Sequence, residues 1–206
     1  VAALAPPTDW DSLTYHLVIP KLYLQAGGAA DIPWIVHSHF PQIMESLYAL
    51  PLAADLDGGP ALMHASAWAA LVAAVFFAGR DTLGKSGGMI AAAILASQPV
   101  VLQYAGTPHT EGAMALFHFL SIVSLSAFQS TRKPGWLAAA GLLSGLAASV
   151  TFFGFVPAAA LAAWAFWRLG PGRGALFSAL ALAVPAPWCL RTWMDAGNPV
   201  WPFFSG

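Results

Sequence analysis

Pro60-Ala61-Leu62-Met63-His64-Ala65-Ser66-Ala67-Trp68-Ala69-Ala70-Leu71-Val72-Ala73-Ala74-Val75-Phe76-Phe77-Ala78-Gly79 runs without an Asp, Glu, Lys or Arg until it meets Arg80. A helix of about 20 such residues crosses the hydrocarbon core of a bilayer. Outward from this segment the same texture repeats, and hydropathy places about six spans, at 60–79, 87–105, 110–129, 135–151, 154–168 and 174–190. The whole chain agrees: 58% of its residues are hydrophobic and only 8% charged, against the quarter usual in soluble domains. The expected fold is all-α, a polytopic transmembrane helix bundle with extracytoplasmic, juxtamembrane amphipathic helices.

Charge sets the orientation. Arg80, Lys85, Arg132, Lys133, Arg168 and Arg173 fall in alternate short loops, which the positive-inside rule assigns to the cytoplasm. The other loops face outwards and carry Asp9, Asp11, Asp31, Glu45, Asp55, Asp57, Glu111 and Asp195, with Lys21 and Arg191 as their bases. This places a multi-pass protein in the inner (plasma) membrane with its acidic side outside or periplasmic. A net charge of -1 without clustered bases excludes nucleic acid as a partner. The single Cys189 excludes a disulfide framework and reads as a small apolar side chain.

Residues 1–59 are too interrupted by Pro, Gly and acids to span, and form an extracytoplasmic loop with two interfacial helices. The first runs from Asp11 to Gln25: Thr8-x-x-Asp11 has capping-box spacing, Pro20 kinks the helix and Gly27-Gly28 end it. The second starts at Phe40-Pro41 and runs towards Ala54. Residues 60–190 form the membrane bundle, and 191–206 begin an outer segment. The Val start and the mid-pattern end suggest a piece of a longer chain. Gly141, Ser144, Gly145 and Ala148 mark a face for close helix packing.

The chemistry concentrates in Asp9-Trp10-Asp11-Ser12-Leu13-Thr14-Tyr15-His16-Leu17-Val18-Ile19-Pro20-Lys21. Asp9 and Asp11 either cap a helix start or offer a cation site and a general base, and the two uses are compatible. Asp11 and Tyr15, four apart, share a helix face. Glu111 opens the third span behind His109, and His118 lies on the same face of that helix. Ionisable groups inside spans, His64 and His118 included, are functional candidates. His37 and His39, with His109, Asp9 or Glu111 as partners, are the candidates for a divalent metal ion. Lys21 and Arg191 are the outward cations for a lipid phosphate, unless they snorkel to headgroups.

Several short motifs occur together in order: Asp9-Trp10-Asp11-Ser12-Leu13-Thr14-Tyr15-His16-Leu17; Phe40-Pro41 with Glu45 and Tyr48; Leu142-Leu143-Ser144-Gly145-Leu146-Ala147; Pro187-Trp188-Cys189-Leu190-Arg191; and Gly197-Asn198-Pro199-Val200-Trp201-Pro202-Phe203. In these the chain resembles bacterial members of the GT-C superfamily. Those are integral membrane glycosyltransferases that use polyprenyl-phosphate sugars, related to the protein mannosyltransferases and the lipid A aminoarabinose transferases. The resemblance implies a lipid-linked sugar donor, a glycan, lipid or protein acceptor, and a catalytic acid in the first outer loop. Asp11 matches that acid, with Asp9 beside it, and Glu111 matches a second. Tyr15, His16, Lys21, Glu45, His109, His118, Arg191 and Asn198 are then the expected substrate-binding residues. Where the family often continues its Gly-Leu-Ala run with Lys-Tyr, this chain has Ser149-Val150-Thr151. Two rival expectations are a transporter or flippase with a polar path through Glu111, His118 and His64, and a non-catalytic family member.

Overall fold

The computed structural model describes residues 2–204, and among them there is no strand. The helices are α1 (Val18–Ala26), α2 (Ile43–Ala53), α3 (Gly59–Ala96), α4 (Pro99–Tyr104), α5 (Glu111–Thr131), α6 (Pro134–Ala148), α7 (Phe155–Leu169), α8 (Pro171–Ala183) and α9 (Ala186–Ala196). The chain divides into two compact units. One takes residues up to Ala30 and Met44–Leu116; the other takes Asp31–Ile43 and the chain from Phe117. Three helices among the described residues are long and apolar enough to cross a membrane: α3, α5 and the stretch Phe152–Leu169. The pair α8 and α9, bent by 55°, makes a fourth if it counts as one broken span.

In the first unit the helical path starts one residue ahead of the expected Asp11. Helix begins at Trp10, so Asp9 rather than Thr8 is the cap, its Oδ1 accepting the Ser12 N–H at 2.9 Å. Ser12–His16 then winds as a π-helical turn closed by the Leu17 N–H on the Ser12 carbonyl, 3.1 Å. This widened turn ends at His16, whose carbonyl is the one Pro20, with no N–H, leaves without an i→i−4 donor. Gly27, at φ 73°, ends α1 with its own N–H on Leu24 and the Gly28 N–H on Tyr23. In α2 the residues Met44, Glu45, Tyr48 and Leu52 form the buried stripe.

The Arg80–Lys85 loop of the sequence reading corresponds to a reversal inside α3. Gly84 has φ 79°, and a Cβ built on Gly79 would stand 2.9 Å from the Cα of Gly88. Nine residues of straight helix would separate those two by about 13 Å, so the two arms fold back on each other. The segment expected at 87–105 is not one helix: it stops at Ser97, and Pro99, which has no N–H, starts the short α4.

In the second unit α6, α7 and α8 pack together around Leu125, Phe128, Leu137, Ala140, Ala165, Leu169, Phe177 and Ala181. Lipid tails are as apolar as these side chains, so contact quality, more than removal from water, holds such helices together. The small face of α6 supplies that contact. A Cβ on Gly145 would lie 2.6 Å from the Ala181 carbonyl oxygen, and one on Gly141 2.9 Å from that of Phe177. Ser121 Oγ donates to the Ala140 carbonyl, tying α5 to α6.

Candidate active site

The first unit gathers side chains from its polar N-terminal stretch, from α2, from α3 and from the start of α5. Asp9, already the helix cap, also accepts a hydrogen bond from His109 Nε2 at 2.8 Å. The other ring nitrogen of His109 faces Glu111, Nδ1 to Oε2 3.4 Å, while the Thr110 N–H donates to that same oxygen. With a carboxylate at each nitrogen, His109 satisfies both only as an imidazolium. Burial works to lower its pKa, but hydrogen bonds to the Glu111 and Asp9 carboxylates and their charge carry it above the usual histidine value. For Asp9 burial pushes upward, and the hydrogen bonds from Ser12 and His109 overcome it, leaving the carboxyl below its ordinary value.

The backbone around this clamp is held as firmly. The Tyr48 hydroxyl donates to the His109 carbonyl. His64 Nδ1 donates to the Thr107 carbonyl at 2.8 Å, and its Nε2 accepts the Gly112 N–H at 3.1 Å, which fixes it as a neutral imidazole. Any side chain on Gly112 would strike this assembly, since a Cβ there would lie 2.7 Å from the Trp68 indole and 3.0 Å from His64 Nε2.

A second pair stands beside the clamp. His16 Nδ1 is 2.7 Å from Glu45 Oε1, and both side chains are shut away, 5% and 6% exposed. The His16 ring lies 4.2 Å from that of Tyr15 and 5.4 Å from that of His109, and Tyr104 packs 5.0 Å from His109. Tyr15 donates to Asp11 as their spacing expects; burial first, then Asp11, Glu111 and Glu45, raise its pKa. Burial followed by the charges of Glu45 and Glu111 does the same to Tyr48. Among the described residues, buried Asp9 Oδ2, Glu45 Oε2 and Trp68 Nε1 have no hydrogen-bond partner.

Asp9, Asp11, Tyr15, His16, Glu45, His109 and Glu111 therefore occupy one neighbourhood. Lys21, in the same unit, pairs with Asp57 at 3.4 Å on the rim of a cavity of about 330 Å³ walled by Pro7, Leu13 and Leu17. The remaining expected residues lie in the second unit. Arg191 pairs with Asp195 at 3.3 Å. Asn198 uses its amide within its own turn, accepting from the Val200 N–H and donating to the Phe203 carbonyl. The His118 ring nitrogens are shut off from solvent beside the Gly154 backbone. His37 packs on Phe40, and His39 faces Asp31 at 3.4 Å and the Trp201 ring. Among the described residues no three His, Cys, Asp or Glu side chains are gathered as a metal ion would need.

The sequence reading held His64 as a functional candidate within a span and Tyr48 as part of a motif, without joining either to the acids, and did not single out Tyr104. His64 carried a signal, a polar ring inside an apolar helix; Tyr104 carried none.

An all-helical chain with membrane-length apolar helices and carboxylates gathered on an imidazolium at the start of one of them defines a class, the polytopic membrane proteins with a built polar site. The particular family follows from comparison: the model of the dolichyl-phosphate-mannose-protein mannosyltransferase family matches residues 54–190, and the chain belongs to that family. It is thus a membrane glycosyltransferase of GT-C type. Comparison with curated proteins and with solved structures finds no match. The family match begins after Asp9, Asp11, His16 and Glu45, so that part of the site stands on the geometry.

Proposed function

We propose that the protein transfers a sugar from a polyprenyl-phosphate donor to an acceptor hydroxyl, with Asp11 as general base. The observation that carries this reading is the His109 clamp, which joins Asp9 to Glu111 and so sets the polar N-terminal stretch against the start of a span. Asp9 is engaged by Ser12 and His109, and Glu111 by His109 and Thr110. Asp11 is paired with the Tyr15 hydroxyl, a partner that can yield to a substrate.

In the reaction Asp11 takes the proton of the acceptor hydroxyl while its oxygen forms the new bond to C1 of the sugar. The bond from C1 to the phosphate oxygen breaks on the opposite face, and the polyprenyl phosphate departs with the electron pair. Configuration at C1 inverts. A phosphate leaves readily, so orienting the base and balancing charge are the protein's main contributions. The His109 imidazolium offsets the carboxylates. Lys21, held to Asp57 only by an exposed pair, is free to turn to the phosphate, and Leu13 and Leu17 offer apolar wall to the first isoprene units.

The test uses the full-length protein in liposomes with dolichyl-phosphate mannose, the donor in the family's description. Glycosylated product together with released dolichyl phosphate supports the reading. Passage of the donor across the bilayer with no product overturns it in favour of transport.

A further inference from the structure

Glu45 is nearly as buried as any carboxylate can be, yet only one of its oxygens has a partner. A buried ion pair is a poor device for stability, because two well-packed apolar side chains do as well or better. What the pair does provide is orientation. Glu45 Oε1 accepts a hydrogen bond from His16 Nδ1 at 2.7 Å, which fixes the orientation of the ring. His16 is also the last residue of the Ser12–His16 π turn, the segment that carries Tyr15 and follows directly on Asp11. The anchor comes from α2, 29 residues further along the chain.

We propose that Glu45 is a positioning residue for glycosyl transfer: through the buried His16 ring it fixes the π turn that sets Asp11 and Tyr15. This rests on the transferase reading above. It assigns Glu45 a role without substrate contact, whereas the sequence reading expects it to bind substrate. Glu45 acts from behind the turn, through the buried His16 ring.

The experiment is a mutant cycle in the full-length protein, assayed for transfer from dolichyl-phosphate mannose, with folded protein quantified by thermal melting. Glu45→Ala and His16→Asn should each lower kcat about 10–100-fold, the scale expected for misplaced catalytic groups, with KM within about threefold. The double variant should be no slower than His16→Asn alone, because Glu45 acts through that ring. Glu45→Gln, which keeps an acceptor oxygen at the same reach, should recover most of the kcat that Glu45→Ala loses. Multiplicative losses in the double variant would overturn the proposal, as would a loss confined to KM or to the amount of folded protein. Asp11→Asn runs alongside: if it transfers at the wild-type rate the transferase assignment of the base fails, whereas if it is dead and Glu45→Ala is normal only the positioning role fails.

Discussion

His109 is the side chain on which the site's electrostatics turn. It holds two carboxylates that would otherwise face each other, so His109→Gln should cost about 1–3 kcal/mol. That is below the full buried-pair penalty because the Glu111 side chain is 56% exposed. Thermal melting in detergent measures it. The pH dependence has a defined sign. His109 has a folded pKa above 6.5, so its contribution is complete below pH 6.5 and fades as pH rises through the raised value. Asp9 has a folded pKa below 3.8, so its contribution is complete above pH 3.8 and fades as pH falls through the lowered value. The wild type should therefore gain most over His109→Gln between about pH 4 and 6.5, and the gap should narrow on either side. At this scale the sequence made the acids and His109 visible as candidates. It did not show which of them meet, because a contact between Asp9 and His109 joins positions 100 residues apart and no local spacing encodes it.

At the scale of elements, close approaches decide what the helices tolerate. Gly112→Ala sets a methyl group against Trp68 and His64 at the start of α5, and should destabilise by about 1–3 kcal/mol while lowering transfer, since it shifts the backbone beside Glu111. Gly145→Leu should separate α6 from α8 and lower the melting temperature without altering donor affinity; melting and a donor-binding titration check the pair of outcomes. The packing face of α6 was legible because small residues recur at helical spacing. The end of α1 at Gly27 was legible because glycine takes the left-handed conformation a helix end needs. The π turn was not, since no local spacing shows the Glu45 contact that holds its last residue, His16. The cap shifted from Thr8 to Asp9 for a related reason, a carboxylate that also serves His109 being held at the helix start.

For the molecule as a whole, composition and the alternation of charge made the membrane class readable, because an apolar run and a basic loop each have one physical meaning in a bilayer. The orientation that follows predicts that, in a Cys189→Ser background, a cysteine replacing Ser86 reacts with an impermeant thiol reagent only after the membrane is opened. Labelling of intact cells at that position would reverse the assignment. What no whole-chain property discloses is the identity of the base. The most direct measurement is the rate of sugar transfer from dolichyl-phosphate mannose by the full-length Asp11→Asn variant, with Asp9→Asn beside it. The account predicts that Asp11→Asn lowers kcat by about 10²–10⁴ with donor binding retained, the range for loss of a general base, and that Asp9→Asn loses mainly stability. Transfer by Asp11→Asn at the wild-type rate would contradict it.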